Sequence, residues 1–175
     1  MIAQAKLPVL YTREEIAAAV SRLATEISAD YHDRRPVLLG ILKGSFVFMA
    51  DLVRHLDFQL EIEFIGLSSY GKDKQTSGKI EVMQSLHAPV KDRNVLIIED
   101  IVDTGRSADF LFDCLRPGKP ASVKLCALMD KPSRRQVPVK IDYLGFTVPN
   151  KFLVGYGLDC SEMFRNLPDI RFIEE

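Results

Sequence analysis

Apolar residues recur along this chain in two periods, and the switches between them mark the elements. From Thr12 the period is helical. Thr12 and Glu15 have the spacing of a capping box, and Ile16, Val20, Leu23 and Ile27 follow at steps of four, three and four, which gives a helix one apolar face. Residues 37–42 (VLLGIL) and 95–98 (VLII) are instead unbroken apolar runs, the composition of strands covered on both faces. Each run leads through a small polar turn into a second helical pattern. The first turn is Lys43-Gly44-Ser45, followed by Phe46, Met49, Val53 and Leu56; the second contains Thr104-Gly105-Arg106-Ser107, followed by a helix over 107–116. Two strand–turn–helix units in succession predict an open parallel sheet with ligand-binding turns along one edge.

Residues 60–67 (LEIEFIGL) and 80–86 (IEVMQSL) read as two further strands. The stretch between them, 68–79 (SSYGKDKQTSGK), is polar and glycine-punctuated, with the length of a mobile lid or binding loop. Pro117-Gly118-Lys119-Pro120 breaks the chain before a strand at 122–129, and two short β runs follow near 142–146 and 151–158. No helical pattern of normal length occurs after 117. The expectation is therefore an α/β fold: a mostly parallel central sheet with helices on both faces, plus a small C-terminal hood over the ligand edge.

Composition narrows the class. A chain of 175 residues with 47% hydrophobic content fits one domain, 1–175, burying roughly 70% of its unfolded surface. A net charge of −1 argues against a generally basic nucleic-acid binder. Cys114, Cys126 and Cys160 show neither metal-binding spacing nor a disulfide framework, so reduced core cysteines are expected. His32, His55 and His87 stand in unrelated contexts without a zinc pattern. No apolar run is long enough for a membrane span or a signal peptide, which predicts a cytoplasmic protein. No Walker A loop is present.

The chemistry concentrates after the second apolar run. Glu99 and Asp100 end it, and Asp103 precedes the Thr104-Gly105-Arg106-Ser107 turn. Free backbone N–H groups at a turn and helix start bind phosphate. Carboxylates beside that cradle would repel an anion unless they meet sugar hydroxyls or a hard cation such as Mg²⁺. Phosphate on one side, with diol and metal on the other, describes a ribose 5-phosphate.

This segment resembles the phosphoribosyl pyrophosphate (PRPP) signature of the type I phosphoribosyltransferases, and residues 42–165 look like their hypoxanthine-guanine branch. The resemblance implies a purine salvage reaction: transfer of 5-phosphoribosyl from PRPP to N9 of hypoxanthine or guanine, giving IMP or GMP and pyrophosphate with Mg²⁺. It implies Asp103 as the acid/base near N7, and Asp103, Thr104, Gly105, Arg106 and Ser107 as the 5′-phosphate loop. Many relatives carry lysine where Arg106 stands. Glu99 and Asp100 would address the ribose hydroxyls, directly or through Mg²⁺. Lys43, Gly44 and Arg165 would meet pyrophosphate, and Ser69 and Tyr70 would sit on the lid. The hood, about 130–165, would bind the base through Lys131 at O6, Phe152 stacked on the ring, the Leu153 backbone and Asp159. Asp159 would also face Mg²⁺, with the metal held partly through substrate or water.

A homo-oligomer, dimer or tetramer, is expected, with no nucleic-acid or membrane partner. The basic cluster Lys131, Arg134 and Arg135 lacks the interleaved aromatics of a nucleic-acid surface. Two alternatives stay open: a xanthine-preferring phosphoribosyltransferase, and a PRPP-binding regulator of the same fold that binds nucleic acid. Lys131 and Phe152 argue against a pyrimidine substrate, and the near-neutral charge and intact Asp103 weigh against the regulator.

Overall fold

The computed structural model describes residues 7–69, 80–82 and 89–174. The expected lid, 68–79 with Tyr70, lies outside them, except that Ser68 and Ser69 end a strand. In chain order the elements are β1 (Val9–Tyr11), α1 (Arg13–Tyr31), β2 (Val37–Leu42), α2 (Phe46–Val53), β3 (Glu61–Ser69), β4 (Ile80–Val82), β5 (Asn94–Val102), α3 (Arg106–Leu115), β6 (Ser122–Asp130), β7 (Tyr143–Thr147), β8 (Phe152–Val154) and β9 (Ile170–Ile173).

The capping box forms at the start of α1. The Glu15 N–H donates to Thr12 Oγ1 at 3.2 Å, and the Thr12 N–H donates to Glu15 Oε2 at 2.8 Å. The helix buries Ile16, Val20, Leu23 and Ile27, the face its spacing predicts. The central sheet has the order β4-β3-β2-β5-β6-β7, parallel throughout except for the antiparallel β3–β4 pair. The strands β2 and β5 are apolar and buried along their unbroken runs, as coverage on both faces requires. Leu38, Leu96, Ile98, Cys126 and Leu128 point into a core shared with α1 and α2. Leu39, Val95, Ile97, Leu125 and Ala127 point to the opposite face, against α3.

Several local expectations are corrected. Helix α2 turns Phe48, Met49 and Leu52 inward, while Phe46 is 43% exposed, and the helix ends before Leu56. Cys114 lies exposed on α3 and Cys160 is half-buried; only Cys126 is a core cysteine. Tyr143–Thr147, expected in the hood, extends the central sheet by parallel pairing with β6. The smaller sheet is antiparallel, in the order β1-β9-β8, so it joins the two ends of the described chain. The Tyr11 and Phe146 rings, stacked 4.0 Å apart, connect it to β7. No helix among the described residues is long and apolar enough to cross a membrane.

Candidate active site

The carboxyl end of β5 and the start of α3 form the middle of the site. Glu99 and Asp100 lie within β5, and Asp103, Thr104 and Gly105 make the turn. Gly105 caps the helix at φ +84°, a left-handed conformation that glycine adopts without a Cβ penalty. Arg106 and Ser107 open α3, whose first-turn N–H groups have no intrahelical acceptor, the arrangement that can receive an anion. The Arg106 N–H reaches Thr104 Oγ1 at 3.4 Å.

A second segment, absent from the expectations for this turn, holds it in place. Gln136 and Val137 N–H groups donate to the Thr104 carbonyl at 3.0 and 3.1 Å. Arg135 donates to the carbonyls of Asp103 and Val102, both at 3.2 Å, and its guanidinium pairs with Asp130. Arg134 Nε lies 3.3 Å from Asp103 Oδ1, an ion pair without hydrogen-bond alignment, since that oxygen has no hydrogen-bond partner. The three cations of the basic cluster thus have separate surroundings. Lys131 is buried, Arg134 faces Asp103, and Arg135 clamps the turn. No local signal distinguishes them, because the atoms Arg135 clamps lie 32 and 33 residues earlier.

Beside this turn is a cavity of about 310 Å³. Its lining includes Asp103, Lys131, Phe152 and Leu153, four of the residues expected at the base, together with Arg134 and Asn150. Phe152 is 52% exposed, an apolar ring left available for stacking. Lys131 donates to the Lys151 carbonyl at 2.8 Å and keeps further N–H donors. Burial pulls its ammonium below the ordinary lysine range; Asp103 opposes that shift and Arg134 adds to it.

The Lys43-Gly44 turn after β2 is packed against Asp100. A Cβ on Gly44 would lie 1.7 Å from Asp100 Oδ2, so only glycine leaves room for that carboxylate. On its other side, a Cβ on Gly157 would lie 2.1 Å from the Gly44 carbonyl oxygen. The Leu42–Lys43 peptide is cis. Lys43 Nζ sits 3.1 Å from both carboxylate oxygens of Glu162, which the sequence did not single out. Arg165 Nη2 lies 2.8 Å from Asp159 Oδ1 and 3.4 Å from Glu162 Oε2, and its Nη1 donates to the Gly157 carbonyl. Lys43, Gly44, Asp100, Asp159 and Arg165 are thereby joined in one cluster.

The acids respond to this crowding. Burial, then the neighbouring Asp100 charge, pushes Glu99 up to about 8, with Arg135 opposing. Burial pushes Asp100 up to about 6 against stabilising backbone N–H groups and Arg165. Glu99 Oε2 is buried without a hydrogen-bond partner. That orphaned oxygen beside a second carboxylate suits sugar hydroxyls or a hard cation. Among the described residues no three acidic, histidine or cysteine side chains converge as a ready-made metal cage. A cation that takes part of its oxygen shell from substrate fits this donor set, and Asp159 already serves Arg165 and the Glu162 N–H.

A family model described as a phosphoribosyl transferase domain matches residues 9–161. The chain is 44% identical over 162 residues to a hypoxanthine-guanine phosphoribosyltransferase of Bacillus subtilis, covering 93% of this chain and 90% of that protein. It is 45% identical over 166 residues to a bifunctional TilS/HprT protein of Listeria innocua, covering 95% of this chain. The chain spans only 26% of the length of that bifunctional relative. A hypoxanthine-guanine phosphoribosyltransferase structure from Bacillus anthracis superposes with a TM-score of 0.90 at 41% identity, covering 95% of this chain and 98% of that one. A hypoxanthine phosphoribosyltransferase structure from Staphylococcus aureus gives 0.92 at 37% identity, covering 97% and 93%.

Proposed function

Since the chain belongs to the phosphoribosyltransferase family, in its hypoxanthine-guanine branch, we propose that it transfers 5-phosphoribosyl from PRPP to N9 of hypoxanthine or guanine. The products are IMP or GMP and pyrophosphate. The observation that carries this reading is the single cavity in which Asp103, Lys131, Phe152 and Leu153 meet beside the β5–α3 turn.

The turn from Asp103 to Ser107 holds the 5′-phosphate, and Glu99 and Asp100 accept hydrogen bonds from the ribose hydroxyls. Glu99, Asp100 and Asp159 would hold Mg²⁺, partly through substrate or water, and the ion would supply charge neutralisation for the pyrophosphate leaving group. Phe152 stacks on the purine, and the Leu153 backbone reads its edge. Lys131 donates to O6; an ammonium has no acceptor, so it favours a 6-oxo over a 6-amino base. Asp103 takes or steadies the proton at N7 as N9 becomes glycosylated. Lys43, Gly44 and Arg165 receive the leaving pyrophosphate. The work of these residues is positioning and electrostatic stabilisation of an oxocarbenium-like transition state. We place the enzyme in the cytoplasm, as a homo-oligomer.

Incubating the protein with PRPP and Mg²⁺ and, in turn, hypoxanthine, guanine, xanthine and adenine tests the reading. Turnover is expected with hypoxanthine or guanine and none with adenine. Preferred use of adenine, or no pyrophosphate release with any base, would overturn it.

A further inference from the structure

Glu162 presents a carboxylate to both cations of the pyrophosphate side. Its two oxygens are 3.1 Å from Lys43 Nζ, and Oε2 is 3.4 Å from Arg165 Nη2. The segment that carries it is neither helix nor strand, yet it is held at many points. Cys160 and Met163 exchange backbone hydrogen bonds of 3.1 Å in both directions, and the Glu162 N–H donates to Asp159 Oδ2 at 2.8 Å. Ser161, Glu162 and Phe164 adopt left-handed conformations, with φ of 52°, 63° and 77°. Such conformations are costly for residues with a Cβ, persist only where surrounding contacts impose them, and concentrate at functional positions. Here three of them occur in a four-residue span whose outward product is one carboxylate aimed at two cations.

Building on the proposal that Lys43 and Arg165 receive pyrophosphate, we infer that Glu162 is the internal counter-anion of that subsite and sets how tightly the product is held. One pair of cations cannot fully pair with a carboxylate and with pyrophosphate at once. When the leaving group is absent, Glu162 neutralises Lys43 and Arg165 and keeps both side chains at the mouth of the site. Pyrophosphate, with its higher charge and its Mg²⁺, displaces the carboxylate. The carboxylate remains tethered nearby on a stiff turn, repels the anion, and re-forms its two pairs as the product departs. Tight binding of the departing anion would hinder turnover, and a built-in competitor weakens that binding without removing a cation. The contact is exposed, about two-thirds for both Lys43 and Glu162 side chains. Solvent and salt therefore screen it, and the effect is modest.

The test is direct binding of pyrophosphate, with Mg²⁺, to the full chain and to Glu162→Gln and Glu162→Ala, by calorimetry at low and high salt. Both variants are expected to bind pyrophosphate about two- to fivefold more tightly, to release it more slowly, and to lose most of this gain at high salt. Unchanged or weaker binding in both variants would overturn the inference, because a residue that merely holds Lys43 in place would weaken binding on removal. The double variant K43M/R165Q separates the two readings. If it keeps wild-type pyrophosphate affinity per folded protein, the pyrophosphate assignment itself fails. If it loses affinity while the Glu162 variants are unchanged, only the counter-anion role fails.

Discussion

The two strand-to-helix turns at the ligand edge follow one plan and are held by different means. After β5, the turn is fixed by backbone. Thr104 accepts two N–H groups from the 136–137 segment, and a Cβ on Gly105 would meet the Val137 carbonyl oxygen at 2.6 Å. After β2, the space beside the glycine belongs to a side chain, the Asp100 carboxylate at 1.7 Å from a Gly44 Cβ. The Gly105 position serves the backbone, and the Gly44 position makes room for the Asp100 carboxylate. What a turn glycine is for depends on which atom occupies the place of its missing Cβ.

The largest expected effect lies in the β5 turn. Asp103→Asn keeps the shape and removes the base, so kcat should fall at least about tenfold, and by as much as the roughly 10²- to 10⁴-fold typical of general acid–base groups. PRPP affinity should stay near wild type. Near-normal kcat per folded enzyme would reduce Asp103 to a turn residue. Next comes Lys131→Ala, which takes a charge-assisted donor from O6 at a cost of about 1.5 to 3 kcal/mol in kcat/KM for hypoxanthine. PRPP binding should change far less, and efficiency within twofold of wild type would leave the ammonium serving only the Lys151 carbonyl.

The glycine pair tests the contrast itself. Gly105→Ala should destabilise the protein by at least about 1 to 2 kcal/mol, from its left-handed backbone alone, measured by urea unfolding. Gly44→Ala should melt close to wild type, because a carboxylate can swing aside, yet lose PRPP turnover as Asp100 leaves its place. A fully stable Gly105→Ala, or an unfolded Gly44→Ala, would contradict the assignment of fold to one and function to the other.

The most gradual effect is a pH slope. Burial and the neighbouring Asp100 charge raise Glu99 from an ordinary 4.5 to about 8 in the fold, so between those values the folded state holds a proton that the unfolded state has lost. Its contribution to stability is complete below pH 4.5 and is lost as pH rises through about 8. The slope is about 1.4 kcal/mol per pH unit at most. Glu99→Gln should flatten unfolding free energies measured from pH 6 to 8.5; an equal slope in both proteins would place the titration elsewhere.

Much of this molecule was legible from the chain because the relevant information is local. The Thr12–Glu15 box, the apolar runs of β2 and β5, and the acids followed by a glycine turn each involve neighbours within a few residues. Backbone periodicity and turn chemistry act at that range. The corrected expectations depended on where distant segments return. Phe46 reads as a core residue by spacing, but the packing of α2 turns Phe48, Met49 and Leu52 inward instead. The short strands Val9–Tyr11 and Ile170–Ile173 carry little signal alone and exist as a pair from opposite ends of the described chain. Arg135 and Glu162 look like ordinary surface charges in sequence. Their roles arise when tertiary packing brings Asp103 and Lys43 to them, the latter across 119 residues. Periodicity determines which face of an element is apolar, whereas the close approach of chain segments decides which polar atoms share a site.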